Sequence, residues 1–252
     1  MKPTTTMFAV SAVLFCLTGA LEAQNSFTFL QGGFTQTVYG NARSSDIFGG
    51  IAFAPNGDLW VDQCFFSGSP LNRFVSGTTM SDGHGGLEHP QAVASPFASN
   101  AGCGLTNHPD GTLYSNTGFG VVNLDANTGA QLRAPFGPPG NALGITVDPQ
   151  TNNLVYIAAD CRFTPTCTII SVNPITLVSS SFAVLRPTEA QFVDGLYFDP
   201  SGNFLFLSNR APTFRMTVLN RTGAVVQNVP LPGTMQPDGI AFHVNPSFVV
   251  TN

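Results

Sequence analysis

The sequence predicts an all-β protein, a β-propeller made of four-stranded antiparallel blades. Three observations predict this fold class: one hairpin motif occurs five times, the strand after each turn is apolar throughout, and helical i, i+4 stripes are missing after the N-terminal segment. Each copy must bury its apolar faces against its neighbours, so a repeat of this kind specifies an architecture. The chain contains 22 phenylalanines, which suit such apolar interfaces.

Each copy of the motif opens on a glycine and continues into a strand, a tight turn and a second strand. Successive copies are separated by about 47 residues on average, which is a propeller period. In four copies a proline five positions after the glycine begins a turn such as Pro-Asn-Gly, whereas Pro246 of the last copy is displaced. The opening glycines are Gly50, Gly104, Gly144, Gly195 and Gly239.

The second strand of each hairpin is a continuous apolar run, as in "LVYIAA" at 154–159 and "FLFLS" at 204–208. A strand with one wet face would alternate, so these runs indicate that both faces are covered, as in a blade between two others. Strands three and four of the blades are expected in the less regular segments "PLNRFVSG", "GVVNLDANTGAQL", "CTIISVNPITLVSSSF" and "RMTVLNRTGAVVQNVPL".

Two blade counts are consistent with the sequence, because the fifth copy reaches Asn252 after two of an expected four strands. We expect a six-bladed ring of which this chain is an incomplete part. The alternative is a closed five-bladed ring, in which "FTFLQ" and "FTQTVYG" near the N-terminus complete the fifth blade.

The N-terminus has the pattern of a secretory signal peptide. Lys2 precedes an apolar run at 7–20, which is followed by Leu21-Glu22-Ala23 and Gln24, so cleavage is expected after Ala23 with a propeller domain over 24–252. No later apolar segment reaches the roughly 18 residues of a membrane span. We therefore expect a secreted or periplasmic monomer without a membrane span.

Charge excludes several classes of function. Residues 24–252 contain no lysine, which excludes Schiff-base chemistry and lysine-based phosphate sites. The net charge of −5 argues against nucleic acid as a partner.

Four cysteines follow the expected cleavage site: Cys64, Cys103, Cys161 and Cys167. An even number in an exported chain favours disulfides, and the spacing of Cys161 and Cys167 suits a closed loop better than a zinc site. Cys64 follows one inner hairpin and Cys103 begins the next, so a bridge between neighbouring blades is expected.

Asp and Asn recur where the inner hairpins begin and end. Such oxygen-bearing side chains around a narrow mouth suit Ca²⁺ or Mg²⁺, and they equally suit the capping of backbone groups at strand ends; capping is favoured, and both interpretations stay open. The candidate ligand-binding residues are Asp62, Asn116, Asp160, Asp194, Asn209 and Asp238, with Asn252 at the corresponding position of the last copy.

The motifs "PDGIAF" and "GIAFAPNGDLWV" resemble those of six-bladed propellers of the NHL-repeat, gluconolactonase/regucalcin-like and virginiamycin B lyase-like groups. The gluconolactonase/regucalcin-like resemblance implies a divalent cation held by Glu, Asn and Asp, with Asp238 matching the family's aspartate. Asp194 has the same place one copy earlier. The early glutamate has no counterpart, because neither Glu88 nor Glu189 opens a repeat. The lyase resemblance implies a histidine, a glutamate and Mg²⁺ that match no particular residues here.

The segment "SDGHGGLEHP" at 81–90 contains Asp82, His84, Glu88 and His89. Its glycines disfavour the helix that a His-x3-Glu-His metal site would need, so a solvated loop is favoured over a metal site.

Two functions are consistent with these patterns. The first is a binding or interaction module that presents one polar ring face to a small ligand, a glycan or a protein. The second is a metal-dependent, lactonase-like hydrolase in which Asp194, Asn209 and Asp238 hold a divalent cation that polarises an ester carbonyl. The sequence leaves open whether the protein is an enzyme.

Overall fold

The structure is a computed structural model of the 252-residue chain. It describes residues 39–41, 48–64, 69–81, 86–92, 97–159, 164–210, 214–231, 237, 239–242 and 248–250. The chain divides into two compact units, Met1–Thr37 and Val38–Asn252, and all of the described residues belong to the second. The predicted signal peptide lies outside them. No helix in the described residues is long and apolar enough to cross a membrane.

The described part of the chain is all-β, as predicted. Its strands, numbered in chain order, are β1 (Ile51–Phe53), β2 (Leu59–Asp62), β3 (Ser69–Phe74), β4 (Met80–Ser81), β5 (Leu87–Glu88), β6 (Phe97–Ala101), β7 (Gly104–Asn107), β8 (Leu113–Thr117), β9 (Gly120–Leu124), β10 (Ile145–Val147), β11 (Leu154–Ala159), β12 (Cys167–Val172), β13 (Ser179–Leu185), β14 (Val193–Phe198), β15 (Phe204–Asn209), β16 (Arg215–Asn220), β17 (Val225–Pro230), β18 (Ile240–Phe242) and β19 (Phe248–Val250).

The strands form antiparallel blades in sequence order. Blade 1 is β1-β2-β3-β6, blade 2 is β7-β8-β9, blade 3 is β10 to β13, and blade 4 is β14 to β17. The hairpin β18-β19 begins a fifth blade, and β4-β5 is a small hairpin between two strands of blade 1. The predicted propeller of antiparallel blades is confirmed, and the number of blades in the ring stays a prediction.

Blade 2 departs from the predicted four strands, because the described chain has isolated bridges where its fourth strand was expected. Gln131 pairs with Leu124 and Phe136 pairs with Val121, without a regular strand between them. The intervening segment contains Pro135, and Pro138 follows shortly after it. Proline has no N–H to donate and restricts φ, so the ladder cannot continue through it.

Apolar clusters fill the interfaces between successive blades. Trp60 and Leu71 of blade 1 pack in one cluster with Leu113 of blade 2, and Tyr114 of blade 2 packs with Tyr156 of blade 3. A third cluster joins strands of blade 3 to strands of blade 4. Every residue of β2 and β8 is buried. The prediction that both faces of the second hairpin strands are covered is correct for β2 and β8, whereas Phe204 at the start of β15 is 41% exposed.

The opening glycines bring consecutive blades into backbone contact. A Cβ on Gly50 would lie 2.8 Å from the carbonyl carbon of Gly104, and one on Gly104 would lie 3.2 Å from the Cα of Gly144. The same construction on Gly144 ends 3.3 Å from the Cα of Gly195. The repeated glycine is needed because neighbouring inner strands approach too closely for a side chain.

Candidate binding face

The inner hairpins of blades 1 to 4 begin and end on the same side of the propeller, which we call the hub face. It is defined by the starts of β1, β7, β10 and β14 and by the ends of β2, β8, β11 and β15. Consecutive inner strands pack side by side in this common orientation. The loops after β2, β8, β11 and β15 lie on this face within each blade. The connections from one blade to the next, which precede β7, β10 and β14, reach it as well.

A disulfide joins two blades at the hub face. Cys64, which follows β2, is bonded to Cys103, which precedes β7, and their Cα atoms are 4.1 Å apart. This confirms the predicted bridge between blades 1 and 2. Cys167 is disulfide-bonded. Its pairing with Cys161 stays a prediction, because Cys161 lies outside the described residues.

Asp62 caps the backbone at the end of β2. Its side chain is fully buried, and Oδ2 accepts a hydrogen bond from the Gly50 amide at 2.9 Å. Oδ1 accepts another from the Cys64 amide at 3.0 Å. The carboxylate thus joins the two strands of the first hairpin to the disulfide loop, as the capping interpretation expects.

Asn116 connects blade 2 to blade 3 from the end of β8. It is fully buried, and its Nδ2 donates to the carbonyl oxygens of Leu143 at 3.0 Å and Ile157 at 3.2 Å. Gly140 fits closely beside it, since a Cβ there would lie 1.8 Å from Asn116 Oδ1. Among the described residues, Oδ1 has no hydrogen-bond donor.

Both polar atoms of the Asn209 side chain are hydrogen-bonded, to blade 4 and to the loop that enters it. Its Oδ1 accepts the amide of Gln191 at 2.9 Å, and its Nδ2 donates to Thr217 Oγ1 at 3.0 Å and to the carbonyl oxygen of Arg215 at 3.2 Å. The side chain is fully buried. It holds the loop that enters blade 4 against β16.

Asp194 is paired with a cation of the protein itself. Its Oδ2 lies 2.8 Å from Nη1 of Arg210, the residue that follows β15, and the Asp194 side chain is 7% exposed. The Arg210 guanidinium also lies 5.0 Å from the centroid of the Phe192 ring, a cation–π geometry. A carboxylate in this position is already neutralised.

These contacts bear on the predicted cation site. Oδ2 of Asp194 is paired with Arg210, and Oδ1 of Asn209 accepts the Gln191 amide. A cation would therefore have to displace a partner from each oxygen. Asp238, the third predicted ligand, and Asp160 lie outside the described residues. Nowhere in the described ranges do three His, Cys, Asp or Glu side chains cluster as a metal site would require. The cation stays a prediction.

Two serines at the hub face escaped the sequence interpretation. Ser115 Oγ accepts the Gly102 amide at 2.8 Å and donates to the Gly104 carbonyl at 2.6 Å. Ser208 Oγ makes the equivalent pair with the amide and carbonyl of Gly195, at 2.8 Å and 3.2 Å. The sequence signal was available, because both serines precede a strand-end asparagine.

Backbone strain concentrates on the hub face. Six described residues other than glycine have positive φ, and four of them lie in its loops: Cys64 (49°), Ala142 (63°), Phe192 (49°) and Phe214 (34°). For such residues the left-handed region is unfavourable by about 1–2 kcal/mol. Strain of this kind is typical of binding and catalytic surfaces, where the surrounding structure holds it in place.

Phenylalanines also recur in the hub-face loops. Phe119, between β8 and β9, is 73% exposed, and Phe48, which precedes β1, is 39% exposed. By sequence, the loops after β2, β8, β11 and β15 each contain a phenylalanine. Of these, Phe65, Phe66 and Phe163 lie outside the described residues. The sequence interpretation used phenylalanine only as core and missed this pattern.

The described residues of the segment at 81–90 have contacts of their own. Glu88 lies in the β4-β5 hairpin and accepts a hydrogen bond from Asn41 Nδ2. The His89 ring lies 4.3 Å from that of Tyr39, and its Nδ1 is 3.1 Å from the Val75 carbonyl oxygen. Asp82 and His84 lie outside the described residues. Glu88 and His89 therefore have structural partners.

No protein-family model matches the sequence, and no curated protein matches it. Solved structures are nevertheless similar over most of the chain. A gluconolactonase from Xanthomonas campestris has a TM-score of 0.57 at 14% identity, covering 81% of this chain and 69% of that one. Virginiamycin B lyase from Staphylococcus aureus has a TM-score of 0.54 at 12% identity, covering 83% and 65%. A streptogramin B lyase has a TM-score of 0.53 at 17% identity, covering 84% and 64%.

The chain is a β-propeller. The solved structures with a similar fold include a gluconolactonase and a virginiamycin B lyase. These are the propeller groups that the hairpin motifs of this chain resemble. The propeller spans 64% and 65% of the lengths of the two lyase structures. At such low identities the likeness establishes the fold alone, and function must be argued from the hub face.

Proposed function

We propose that the propeller is an exported binding module that holds a small ligand, a glycan or a protein against its hub face. The observation that carries the proposal is the combination of exposed phenylalanine and strained backbone in the hub-face loops. Exposed aromatic rings supply contact area, and rigid loops lose little entropy on binding.

The state of the polar side chains supports binding over catalysis. Hydrolysis assisted by a metal requires convergent oxygen ligands with an open position, together with a base. Asp62, Asp194 and Asn209 instead have oxygens that accept hydrogen bonds from the chain itself. Such satisfied groups build a rigid scaffold for the loops.

The second candidate is the lactonase-like hydrolase with Ca²⁺ or Mg²⁺ at Asp194, Asn209 and Asp238. The similarity in fold to gluconolactonase structures favours it, and so does the place of Asp194 at the start of a hub-face strand. It requires Arg210 to release Asp194 when the cation binds. The binding module requires no such rearrangement.

Binding is tested with an array of immobilised glycans and with the fluorescent aromatic anion anilinonaphthalene sulfonate. We expect Phe119→Ser to weaken binding of the fluorescent probe. Ile175→Ser is the matched control, since Ile175 is 86% exposed and lies in the β12-β13 turn on the opposite face. Equal effects of the two substitutions would contradict the proposal.

Catalysis is tested in parallel with gluconolactone and aryl esters, with and without Ca²⁺ or Mg²⁺. We expect no turnover above the uncatalysed rate. Metal-dependent turnover that Asp194→Asn abolishes would establish the hydrolase instead.

A further inference from the structure

Arg215, the first residue of β16, differs from the other arginines of the described chain. Four of them pair with a carboxylate, and Arg133 lies over the ring of Phe136. Arg215 is half-buried, and its Nε and Nη2 atoms are buried without a hydrogen-bond partner among the described residues. A desolvated guanidinium without a counter-charge is unfavourable unless a ligand supplies one.

Nε and Nη2 of Arg215 lie on the same edge of the guanidinium group. The N–H of Nε and one N–H of Nη2 point in parallel, which is the fork that accepts both oxygens of a carboxylate. Burial lowers the pKa of Arg215 from its ordinary value, in keeping with the missing counter-charge.

Asn209 links the backbone of Arg215 to the loop between blades 3 and 4, because it donates to the Arg215 carbonyl oxygen and accepts the Gln191 amide. Thr217, two residues further along β16 and on the same face, donates to the carbonyl oxygen of Glu189 at 2.8 Å. The side chain of Glu189 turns elsewhere, because its Oε2 accepts the amide of Arg186 at 2.8 Å. The loop that carries Glu189 is therefore linked to β16 through Thr217, while the Glu189 carboxylate is engaged by the Arg186 amide.

We propose that Arg215 is a carboxylate-binding subsite of the hub face, which takes an anionic ligand through its Nε–Nη2 edge. The inference rests on the proposed binding function and specifies its ligand as a carboxylic acid. Arg210 does not compete for the ligand, because Asp194 neutralises it. Phe214, immediately before Arg215, and Phe192 are half-buried aromatic residues of the same face that favour an acid with an apolar body.

The test uses benzoate as the probe and benzamide as its neutral isostere, on the complete chain. Binding is followed through the Nε–H resonance of Arg215 in nitrogen-15 spectra, which Arg215→Lys identifies by removing it. We expect benzoate to shift this resonance in a saturable way and benzamide to leave it unchanged. Arg215→Lys keeps the charge without the fork and should weaken benzoate binding, measured by calorimetry, at least about tenfold.

Controls separate this site from general charge effects and from the chain's own acids. Arg186→Gln removes an exposed arginine of the same face and should leave benzoate affinity unchanged. If Glu189→Gln shifts the Arg215 resonance in the ligand-free protein, Glu189 occupies the fork in solution and the proposal is overturned. Equal binding of benzoate and benzamide would overturn it as well.

A second arm distinguishes the source of the carboxylate. The peptide acetyl-Gly-Phe is compared as the free acid and as the C-terminal amide. Tighter binding of the free peptide acid than of benzoate would assign the subsite to a polypeptide C-terminus, and the reverse order to a small acid. If the fluorescent probe still depends on Phe119 while neither acid reaches Arg215, this inference fails and the proposed function stands.

Discussion

Gly104 of blade 2 lies directly against Gly144 of blade 3. A Cβ on Gly104 would come within 2.2 Å of the carbonyl oxygen of Leu143 and 3.2 Å of the Gly144 Cα. Both neighbours are backbone atoms that cannot turn away, so the spacing of the inner strands depends on this residue. The opening glycine of each repeat is therefore a packing requirement of the hub.

Gly104→Ala should lower the free energy of unfolding by about 1–3 kcal/mol or more, because the added methyl group forces two blades apart. Gly77→Ala is the control, since a Cβ there meets nothing within 4 Å. It should change stability by less than about 0.5 kcal/mol. Urea denaturation measures both, and similar losses would show that the blades do not meet as described.

Ser115→Ala should lower stability by about 1–3 kcal/mol, because the buried Gly102 amide and Gly104 carbonyl both lose their partner. Ser180→Ala, at an exposed position in β13, provides a serine control. Thermal unfolding compares the two variants. A Ser115→Ala protein as stable as the wild type would mean that Ser115 does not hold the start of β7.

Arg221 and Asp148 form a two-pronged ion pair across the interface of blades 4 and 3, with distances of 2.7 Å and 2.8 Å. Burial alone would raise the pKa of Asp148, but the hydrogen bonds from Arg221 and Thr151 outweigh it and lower that pKa overall. Arg221→Met should therefore lower stability near neutral pH by about 1–3 kcal/mol.

This loss should shrink in acid, since a carboxyl group with a depressed native pKa stabilises the fold above its unfolded pKa of about 3.9. The contribution is lost as the pH falls through the lower native value. Urea denaturation of wild type and Arg221→Met across this range measures the convergence. Arg186→Met, at a 78% exposed arginine side chain, should differ little from the wild type at any pH.

Replacing Cys64 and Cys103 together by serine should lower stability by about 4 kcal/mol, because the bridge closes a loop of 39 residues and restricts the unfolded chain. Comparison of the oxidised wild type with the double variant in guanidinium measures the difference. Reduction of the wild type should lower stability at least as much, because it also breaks the disulfide of Cys167. A double variant with unchanged stability would show that the interface of blades 1 and 2 needs no covalent link.

The strand order of this propeller could be predicted from the sequence because its determinants are local. Pro55 and Gly57 specify a hairpin turn, and the positive φ of 88° at Gly57 is what such a turn requires. The continuous apolar runs predicted strands covered on both faces, and β8 is buried throughout. The bridge between Cys64 and Cys103 followed from the register of the repeat.

The role of each polar residue was decided by the tertiary structure, because it depends on partners that are distant in sequence. Asp194 and Asn209 suggested cation ligands by type, yet Arg210 and the Gln191 amide occupy their oxygens. Arg215 gave no signal in the sequence, since a missing partner can be recognised only when its surroundings are known. Local spacing in the sequence therefore determined the hairpins and their repetition. Desolvation and pairing between blades, which only the tertiary structure shows, determined which polar groups at the hub face have hydrogen-bond partners and which could receive a ligand.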